Sequence, residues 1–186
     1  MKNPFFIILG PSGVGKNAVI KDVLKKFPQI KKAITYTVRQ KRKNEKQGRD
    51  HYFVTTSQFK RMIKNRMFYE WAYVHGRYYG TPKKELNELL NHNPVIAEID
   101  VQGAIQLERK IKNTVTIFLK PDSIGNLIRR INQRGKMSEP ELARRFASME
   151  KEMKLAPKFD YRVINRQHKL PQAVARVSQI IAKHLP

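Results

Sequence analysis

Short apolar runs alternate with amphipathic stretches along much of the chain. Residues 5–9 are apolar at every position, which predicts a strand buried on both faces. In residues 16–26 the apolar positions recur three and four apart, which predicts a helix. Further strands are predicted at 95–100, 114–119 and 163–164, and further helices at 103–110, 123–133 and 171–185. This alternation predicts an α/β fold with a parallel sheet flanked by helices.

One long region interrupts the alternation. Residues 35–91 are rich in Tyr, Arg and turn residues, with short strand-like runs and a helix-like segment at 57–65. We therefore expect an inserted α+β subdomain over 35–91 and a core formed by residues 1–34 and 92–186.

A polar loop follows the predicted helix at 123–133. It covers residues 134–140, and the spacing of Ser138 and Glu141 matches a capping box. The loop is therefore expected to lead into a helix that extends to about residue 153.

Composition narrows the possible functions. The chain has 186 residues, 38 Lys and Arg against 15 Asp and Glu, a net charge of +23, and no Cys. The absence of Cys excludes disulfides, a thiol nucleophile and Cys-based metal sites. No apolar run is long enough to span a membrane, so we expect a cytoplasmic protein. The basic residues are dispersed, which is typical of a solvated surface, and no nucleic-acid partner is expected.

The strongest chemical signal lies between the first strand and the first helix. Residues 10–16 read Gly-Pro-Ser-Gly-Val-Gly-Lys, which matches the phosphate loop G-x-x-x-x-G-K. Its glycines allow backbone N–H groups to face a phosphate, and the lysine adds positive charge. The predicted nucleotide-binding residues are Gly10, Pro11, Ser12, Gly13, Val14, Gly15, Lys16 and Asn17.

The residue after the lysine departs from this motif. A Ser or Thr usually stands there and ligates Mg²⁺, but this chain has Asn17. The amide oxygen of Asn17 is a candidate metal ligand, and Asp100 is a second candidate. Glu98 and Asp100 point the same way at the end of a predicted core strand, where α/β proteins bind ligands.

The inserted region carries residues suited to a phosphate monoester. Arg39 and Arg42 are three residues apart, and a guanidinium binds oxyanions in a planar fork. Glu70 lies among aromatic residues, so it requires a specific partner. The N1–H and N2–H₂ donors of guanine match one carboxylate, whereas adenine presents an acceptor there.

These motifs occur in a recognisable order. The phosphate loop is followed by an Arg-x-x-Arg stretch at 39–42, Phe-Tyr-Glu-Trp at 68–71, Tyr-Tyr-Gly-Thr-Pro at 78–82 and Asp-Val-Gln-Gly at 100–103. In this the chain resembles the guanylate kinase family over nearly its whole length. The resemblance implies a P-loop core, a mobile GMP-binding subdomain and a lid at about residues 134–145. The implied reaction is phosphoryl transfer from ATP to GMP with Mg²⁺.

The resemblance also implies roles for individual residues. Lys16, Arg39, Arg134 and Arg145 would spread the charge of the transferred group, the two last from the lid and its helix. The residues implied to bind GMP are Thr35, Arg39, Arg42, His51, Glu70, Tyr79, Thr81, Glu98 and Asp100. Asn165 would lie near the adenine of ATP.

Two departures leave other functions open. Besides Asn17, the chain has His51 where the family usually has a Tyr that donates to the GMP phosphate. One alternative is a kinase of another phosphate monoester, either a different nucleoside monophosphate or ribose 1,5-bisphosphate. Another is a catalytically weak binding module of the same fold. The oligomeric state is left as monomer or homodimer.

Overall fold

The computed structural model describes residues 3–74, 76–132 and 139–186, which form an α/β fold with two sheets. The strands are β1 (Phe5–Leu9), β2 (Lys31–Lys32), β3 (Tyr36–Thr37), β4 (Tyr52–Phe53), β5 (Phe68–Val74), β6 (Arg77–Pro82), β7 (Val95–Glu98), β8 (Thr114–Pro121) and β9 (Tyr161–Asn165). The helices are α1 (Lys16–Lys26), α2 (Thr56–Lys64), α3 (Lys83–His92), α4 (Val101–Glu108), α5 (Ile124–Asn132), α6 (Glu139–Leu155) and α7 (Leu170–His184), and a 3₁₀ turn covers Ala156–Lys158.

The larger sheet is parallel and has the order β2-β7-β1-β8-β9. β1 lies at its centre, where Phe5 pairs with Val95 on one side and Thr114 on the other. All five β1 side chains are buried, because helices cover both faces of a parallel sheet. The predicted fold class, a parallel sheet flanked by helices, is confirmed.

Helices cover the two faces of this sheet with separate apolar clusters. On one face, Val19 and Val23 of α1 and Val177 of α7 pack in the cluster that contains Phe6 and Ile8. The cluster on the other face contains Phe5, Ile7 and side chains from α3 and α4, among them Leu86, Leu90, Ala104 and Leu107. The alternating side chains of β1 are therefore shared between two cores, which hold the loop after β1 on a rigid base.

The smaller sheet is formed by strands that lie between β2 and β7 in the chain, in the region predicted as an insert, and has the order β4-β3-β6-β5. β5 and β6 form an antiparallel pair, and Phe59 of α2 stacks on Phe68 and Tyr78 from that pair. Gly80 lies beneath this stack, and a Cβ there would come within 3.0 Å of the rings of Phe59 and Phe68. Glu70 and Thr81 are paired across β5 and β6, so their side chains share a face of the sheet.

Several boundaries differ from the predictions for physical reasons. The strand predicted at 95–100 ends at Glu98, because Asp100 caps α4 by accepting from the N–H groups of Gln102 (2.9 Å) and Gly103 (3.0 Å). As a result α4 begins at Val101, two residues before the predicted start. β2 and α3 were not predicted. The predicted capping box includes Ser138, which lies outside the described residues.

No helix in the part of the chain that the structure describes is both long and apolar enough to cross a membrane.

Candidate active site

The phosphate loop connects the buried end of β1 to the start of α1. Three of its glycines have positive φ: 131° at Gly10, 86° at Gly13 and 100° at Gly15. Side-chain-bearing residues rarely adopt these angles, and at Gly10 a Cβ would also come within 2.3 Å of the Leu119 carbonyl oxygen. The sequence therefore requires glycine where the backbone turns from the sheet into the helix, at the carboxyl edge of the central strand.

Lys16 closes this loop on itself. Its Nζ donates to the carbonyl oxygens of Gly10 (2.6 Å) and Pro11 (3.2 Å), and it lies 3.6 Å from Glu98 Oε1. The ammonium group is thus held beside the phosphate loop by two carbonyl dipoles and the carboxylate of Glu98. Because each of these contacts is an interaction with partial or full negative charge, an incoming phosphate can replace them.

A cleft runs from the phosphate loop to the insert. It brings together residues that were predicted as site residues in both regions, with four others. The lining residues are Gly10, Ser12, Gly13, Lys16, Asn17, Thr35, Arg39, Arg42, His51, Glu70, Val74, Tyr79, Gly80, Glu98, Ile99, Asp100 and Glu152. Of the predicted GMP-binding residues, Thr81 does not line the cleft itself but is hydrogen-bonded to Glu70.

Carboxylates make the floor of the cleft electronegative around Lys16. Burial raises the pKa of Asp100, opposed by the backbone N–H groups of α4. Burial also raises the pKa of Glu152, with the charge of Asp100 adding to the rise and Lys16 opposing it. Carboxylates that resist ionisation side by side provide a place where added positive charge is favourable.

These oxygens fit a magnesium ion that arrives with a nucleotide. Asn17 and Asp100 offer amide and carboxylate oxygens, the hard donors that Mg²⁺ prefers. Among the described residues, no group of three or more His, Cys, Asp or Glu side chains is arranged to hold a metal by itself. Mg²⁺ usually takes one or two protein ligands and completes its shell with phosphates and water, so the donor set is compatible with it.

Arg39 is fixed by a partner that the sequence analysis missed. Its two terminal nitrogens donate to the two carboxylate oxygens of Glu45 at 2.6 Å each, and its guanidinium lies 5.3 Å from the centre of the Phe53 ring. Glu45 also accepts from the backbone N–H of Arg42 at 2.9 Å. Burial alone would raise the pKa of Glu45, but these hydrogen bonds lower it to about 2. The pair therefore stays charged at neutral pH and orients Arg39 beside Arg42.

The resemblance to the guanylate kinase family implies that Arg39 binds the phosphate of GMP, so we expect Glu45→Gln to raise the KM for this acceptor about tenfold with little change in kcat. The amide cannot accept two charged hydrogen bonds, so Arg39 gains rotamer freedom that acceptor binding must remove. Steady-state kinetics at saturating ATP measure both constants. Glu88→Gln, at an exposed position on α3, is the matched control. An unchanged KM would show that Glu45 does not position Arg39 for the acceptor, and a lower KM would show that Glu45 competes with the acceptor.

Glu70 is a buried carboxyl group with one free oxygen. Its Oε1 accepts from the Thr81 hydroxyl at 2.5 Å, whereas its Oε2 has no hydrogen-bond partner among the described residues. Burial and then the charge of Asp100 raise the pKa of Glu70 to about 8. A Cβ at Gly103 would lie 2.6 Å from Oε2, so the glycine makes room for this oxygen. A buried carboxyl oxygen without a partner in a cleft is a candidate group for binding a ligand.

Thr35 and His51 meet on the insert side of the cleft. The Thr35 hydroxyl lies 2.9 Å from His51 Nδ1, and the ring packs edge-on against Phe53 and Tyr79. His51, Tyr79, Arg39 and Arg42 thus line one end of the cleft, and Glu70 lies in the same cleft.

A second, shallower pocket lies on the other side of the phosphate loop. Asn165 lines it and donates from Nδ2 to the Val14 carbonyl oxygen at 2.7 Å. Arg130 reaches the same carbonyl oxygen at 3.4 Å and the Asn165 carbonyl oxygen at 3.3 Å. Arg145 of α6 donates to the Ser12 hydroxyl at 3.4 Å. The predicted site residue Arg134 lies outside the described residues.

Three residues of the site were not found from the sequence. Glu45 and Arg130 stand in charged stretches where nothing in the spacing marks them, and only the folded loops show their partners. Glu152 had a weak signal, since a carboxylate on the α6 face that also carries Met149 must be partly buried.

The fold and the cleft together define a P-loop α/β protein, in which residues of the smaller sheet and of the phosphate loop line one cleft. The family model described as guanylate kinase matches residues 2–184. The chain therefore belongs to the guanylate kinase family.

Individual relatives agree with this assignment. The chain is 37% identical to the guanylate kinase of Thermotoga maritima over 182 residues, covering 97% of this chain and 87% of the relative. It is 40% identical to that of Caldanaerobacter subterraneus over 176 residues, covering 94% and 84%. The crystal structure of guanylate kinase from Anaplasma phagocytophilum superposes with a TM-score of 0.81 at 28% identity, covering 98% and 86%.

Proposed function

We propose that this protein is a guanylate kinase that transfers the γ-phosphoryl group of ATP to GMP, giving ADP and GDP. The observation that carries the proposal is the continuous cleft between the phosphate loop and a guanidinium pair, with a buried carboxyl group beyond it. The family membership of the chain supports the same activity.

The donor nucleotide is placed along the phosphate loop. Backbone N–H groups at the start of α1 and the ammonium of Lys16 face its β- and γ-phosphates, and the adenosine extends toward the pocket of Asn165. Arg145 lies close enough to the loop, through Ser12, to reach the same phosphates. We also propose a lid at about residues 134–145, from which Arg134 reaches the ATP phosphates.

The acceptor is placed in the insert. Arg39, Arg42, His51 and Tyr79 hold the GMP phosphate, and Glu70 with Thr35 and Thr81 holds the guanine edge. Guanine supplies two donors to the carboxylate of Glu70, whose Oε2 otherwise has no partner among the described residues, so acceptor binding favours the ionised form of this group. Adenine presents an acceptor at the same point and leaves Glu70 unpaired, which gives discrimination between purines.

The reaction then requires alignment and charge neutralisation but no protein nucleophile. A GMP phosphate oxygen attacks the γ-phosphorus in line with the departing ADP. Lys16, Arg39 and Arg145 lie around the transferring group and offset the charge that it accumulates. Closure of the insert, whose boundaries of 35 and 91 stay a prediction, would exclude water that otherwise hydrolyses ATP.

We propose that Mg²⁺ binds as part of the ATP complex. Asn17 and Asp100 would hold it directly or through water, and when bound it supplies positive charge to the donor phosphates. The dispersed positive charge of the chain adds to the attraction of both nucleotides. Because ATP and GMP are metabolites of the cytoplasm, we infer a cytoplasmic enzyme of purine nucleotide metabolism.

We expect Asn17→Thr to raise kcat about fivefold and to lower the Mg²⁺ concentration that gives half-maximal rate. A threonine hydroxyl at this position is the usual metal ligand in phosphate loops, and its small size suits the first turn of α1. Rates measured across a Mg²⁺ titration check this. Asn17→Val has the shape of the threonine without the hydroxyl and should show no gain. Equal effects of the two variants would contradict a metal-ligand role.

An assay of ADP release with alternative acceptors tests the proposed activity. With ATP and Mg²⁺ present, we expect release to depend on GMP and to be slow with AMP, UMP or ribose 1,5-bisphosphate. A preference for ribose 1,5-bisphosphate or another nucleotide would replace the proposed substrate. Little or no ADP release with any of these acceptors would indicate a binding module.

A further inference from the structure

The imidazole of His51 is within hydrogen-bonding distance of the Thr35 hydroxyl in the cleft. Thr35 Oγ1 and His51 Nδ1 are 2.9 Å apart, and both residues line the cleft with Arg39 and Tyr79. Thr35 is buried, with 7% of its surface exposed, and its hydroxyl makes this contact with His51 inside the protein. Nδ1 is occupied by Thr35, and the described residues provide no partner for Nε2, which is available to a cleft ligand.

The single proton of the Thr35 hydroxyl makes this contact directional. If Thr35 donates to Nδ1, its oxygen can only accept from a ligand. If Nδ1–H donates to Thr35, the hydroxyl proton is free to donate to a ligand. The presence of a proton on Nδ1 therefore decides which hydrogen-bonding group of a base Thr35 can recognise, and a phosphate that accepts from Nε2–H at the same time requires both ring nitrogens to be protonated.

We propose that binding of the monophosphate acceptor draws one proton from solvent onto His51. Nδ1–H then donates to Thr35, the Thr35 hydroxyl donates to a carbonyl oxygen of the base, and Nε2–H donates to the acceptor phosphate. His51 and Thr35 thus link recognition of the phosphate to recognition of a 6-oxopurine. This inference rests on the proposed function, since it assigns roles within the same acceptor site.

The charges around His51 explain why it is neutral before the acceptor arrives. Burial is the main cause that lowers the pKa of His51, to about 4. Arg39 and Lys32 of β2 also lower it, whereas Glu98 of β7 and Glu45 raise it. An acceptor phosphate placed against Arg39 brings up to two negative charges to this end of the cleft. These charges offset Arg39 and favour the imidazolium, so the pKa of His51 rises on binding.

Glu70 lines the same cleft, and its hydrogen bond with Thr81 explains why a donor from Thr35 is needed. When Glu70 is ionised it can only accept, so the Thr81 hydroxyl proton is committed to Oε1 at 2.5 Å. Thr35 is then the hydroxyl among these residues whose proton can be directed to a carbonyl oxygen. A 6-aminopurine has an amino group in place of the carbonyl oxygen, so the donor on Thr35 meets another donor. It also presents an acceptor to Glu70, which then has no donor from the base.

Nitrogen NMR of histidine-labelled protein measures the proton directly. His51 signals are assigned with His51→Gln and followed with pH in the free protein, with guanosine and with saturating GMP. We expect His51 to be neutral at pH 7 when free or bound to guanosine, and doubly protonated with GMP because its pKa rises above about 7. A neutral His51 in the saturated GMP complex at pH 7 would overturn the inference.

The pH dependence of the KM for GMP distinguishes proton uptake by His51 from a purely structural role of this residue. Between pH 7 and pH 8.5, we expect the KM of the wild type for GMP to rise about fivefold to tenfold relative to that of His51→Gln. The glutamine cannot titrate, and the ratio cancels the titration of Glu70, which both proteins share. His51→Tyr should behave like the glutamine variant. Parallel pH profiles for wild type and variants would overturn the inference.

Two variants of Thr35 separate the hydroxyl from its surroundings. Thr35→Ser should keep the preference for GMP over AMP, whereas Thr35→Val should reduce it about tenfold. Equal preferences in the two variants would contradict the donor role. The turnover assay on the same samples distinguishes the hypotheses, because GMP phosphorylation with a neutral His51 rejects this inference alone, and its absence rejects the proposed function.

Discussion

Replacing Lys16 by Met is expected to lower kcat for GMP phosphorylation about 100- to 1,000-fold. The methionine keeps the length of the side chain and removes the charge that faces the donor phosphates. In the free protein Lys16 bonds to the Gly10 and Pro11 carbonyl oxygens at the rim of the loop. Those bonds are exchanged for phosphate contacts, so the loss falls mainly on the transition state, where charge on the transferring group is greatest.

A matched variant separates this loss from unfolding. Lys21→Met removes an exposed lysine from the same helix and should leave kcat unchanged. The midpoint temperature of thermal unfolding of Lys16→Met should stay close to that of the wild type, because each lost hydrogen bond contributes about 1 kcal/mol to the free energy of unfolding. Turnover by Lys16→Met at the wild-type rate would show that the donor phosphates bind elsewhere.

Replacing Glu70 by Gln is expected to raise the KM for GMP about 100-fold and to stabilise the free protein at alkaline pH. The amide keeps one acceptor but presents an NH₂ group to the guanine donors, so one charged hydrogen bond is lost and one repulsion is added. Kinetics with GMP and AMP should show the preference for guanine falling by a similar factor.

The stability effect follows from the pKa of Glu70, which is raised from 4.5 to about 8 by burial and the charge of Asp100. Between these values the folded protein holds a proton that the unfolded chain releases, so rising pH destabilises the fold through this group. Glu70→Gln cannot lose that proton. The advantage of the variant in free energy of unfolding should therefore be absent below pH 4.5, grow between pH 4.5 and pH 8 and reach about 5 kcal/mol above pH 8.

Denaturant unfolding of the two proteins at pH 5 and pH 8.5 measures this difference without ligands. Glu85→Gln, a half-buried position on α3, serves as a control for removal of one negative charge. A difference between wild type and Glu70→Gln that does not depend on pH would mean that Glu70 is ionised in the free protein.

The parts of the fold that the sequence predicted are those with strong local signals. The bounds of β1 and α1 agree with the structure because five consecutive apolar residues and a helical repeat flank a glycine-rich turn. By contrast, β2 consists of Lys31 and Lys32, whose polar side chains give no strand signal. It forms because β7 offers an edge to pair with, which is a property of the assembled sheet.

The same difference between local sequence signals and contacts formed only in the fold holds for the residues of the candidate active site. Residues that belong to contiguous motifs, such as Lys16 or Glu70, could be selected from order and spacing. The contacts that set their chemistry could not, because they join residues on separate loops. Glu45 reaches Arg39 only through the turn between them, and His51 reaches Thr35 because β4 lies beside β3. These partners decide which groups are charged before substrate binds.

A crystal structure with GMP and a non-hydrolysable ATP analogue bound together tests most directly whether one cleft holds both nucleotides end to end. We expect the GMP phosphate within hydrogen-bonding distance of Arg39 and Arg42, its guanine edge on Glu70, and the analogue's phosphates on residues 10–16. A monophosphate bound away from Arg39 and Arg42 would contradict the proposed arrangement.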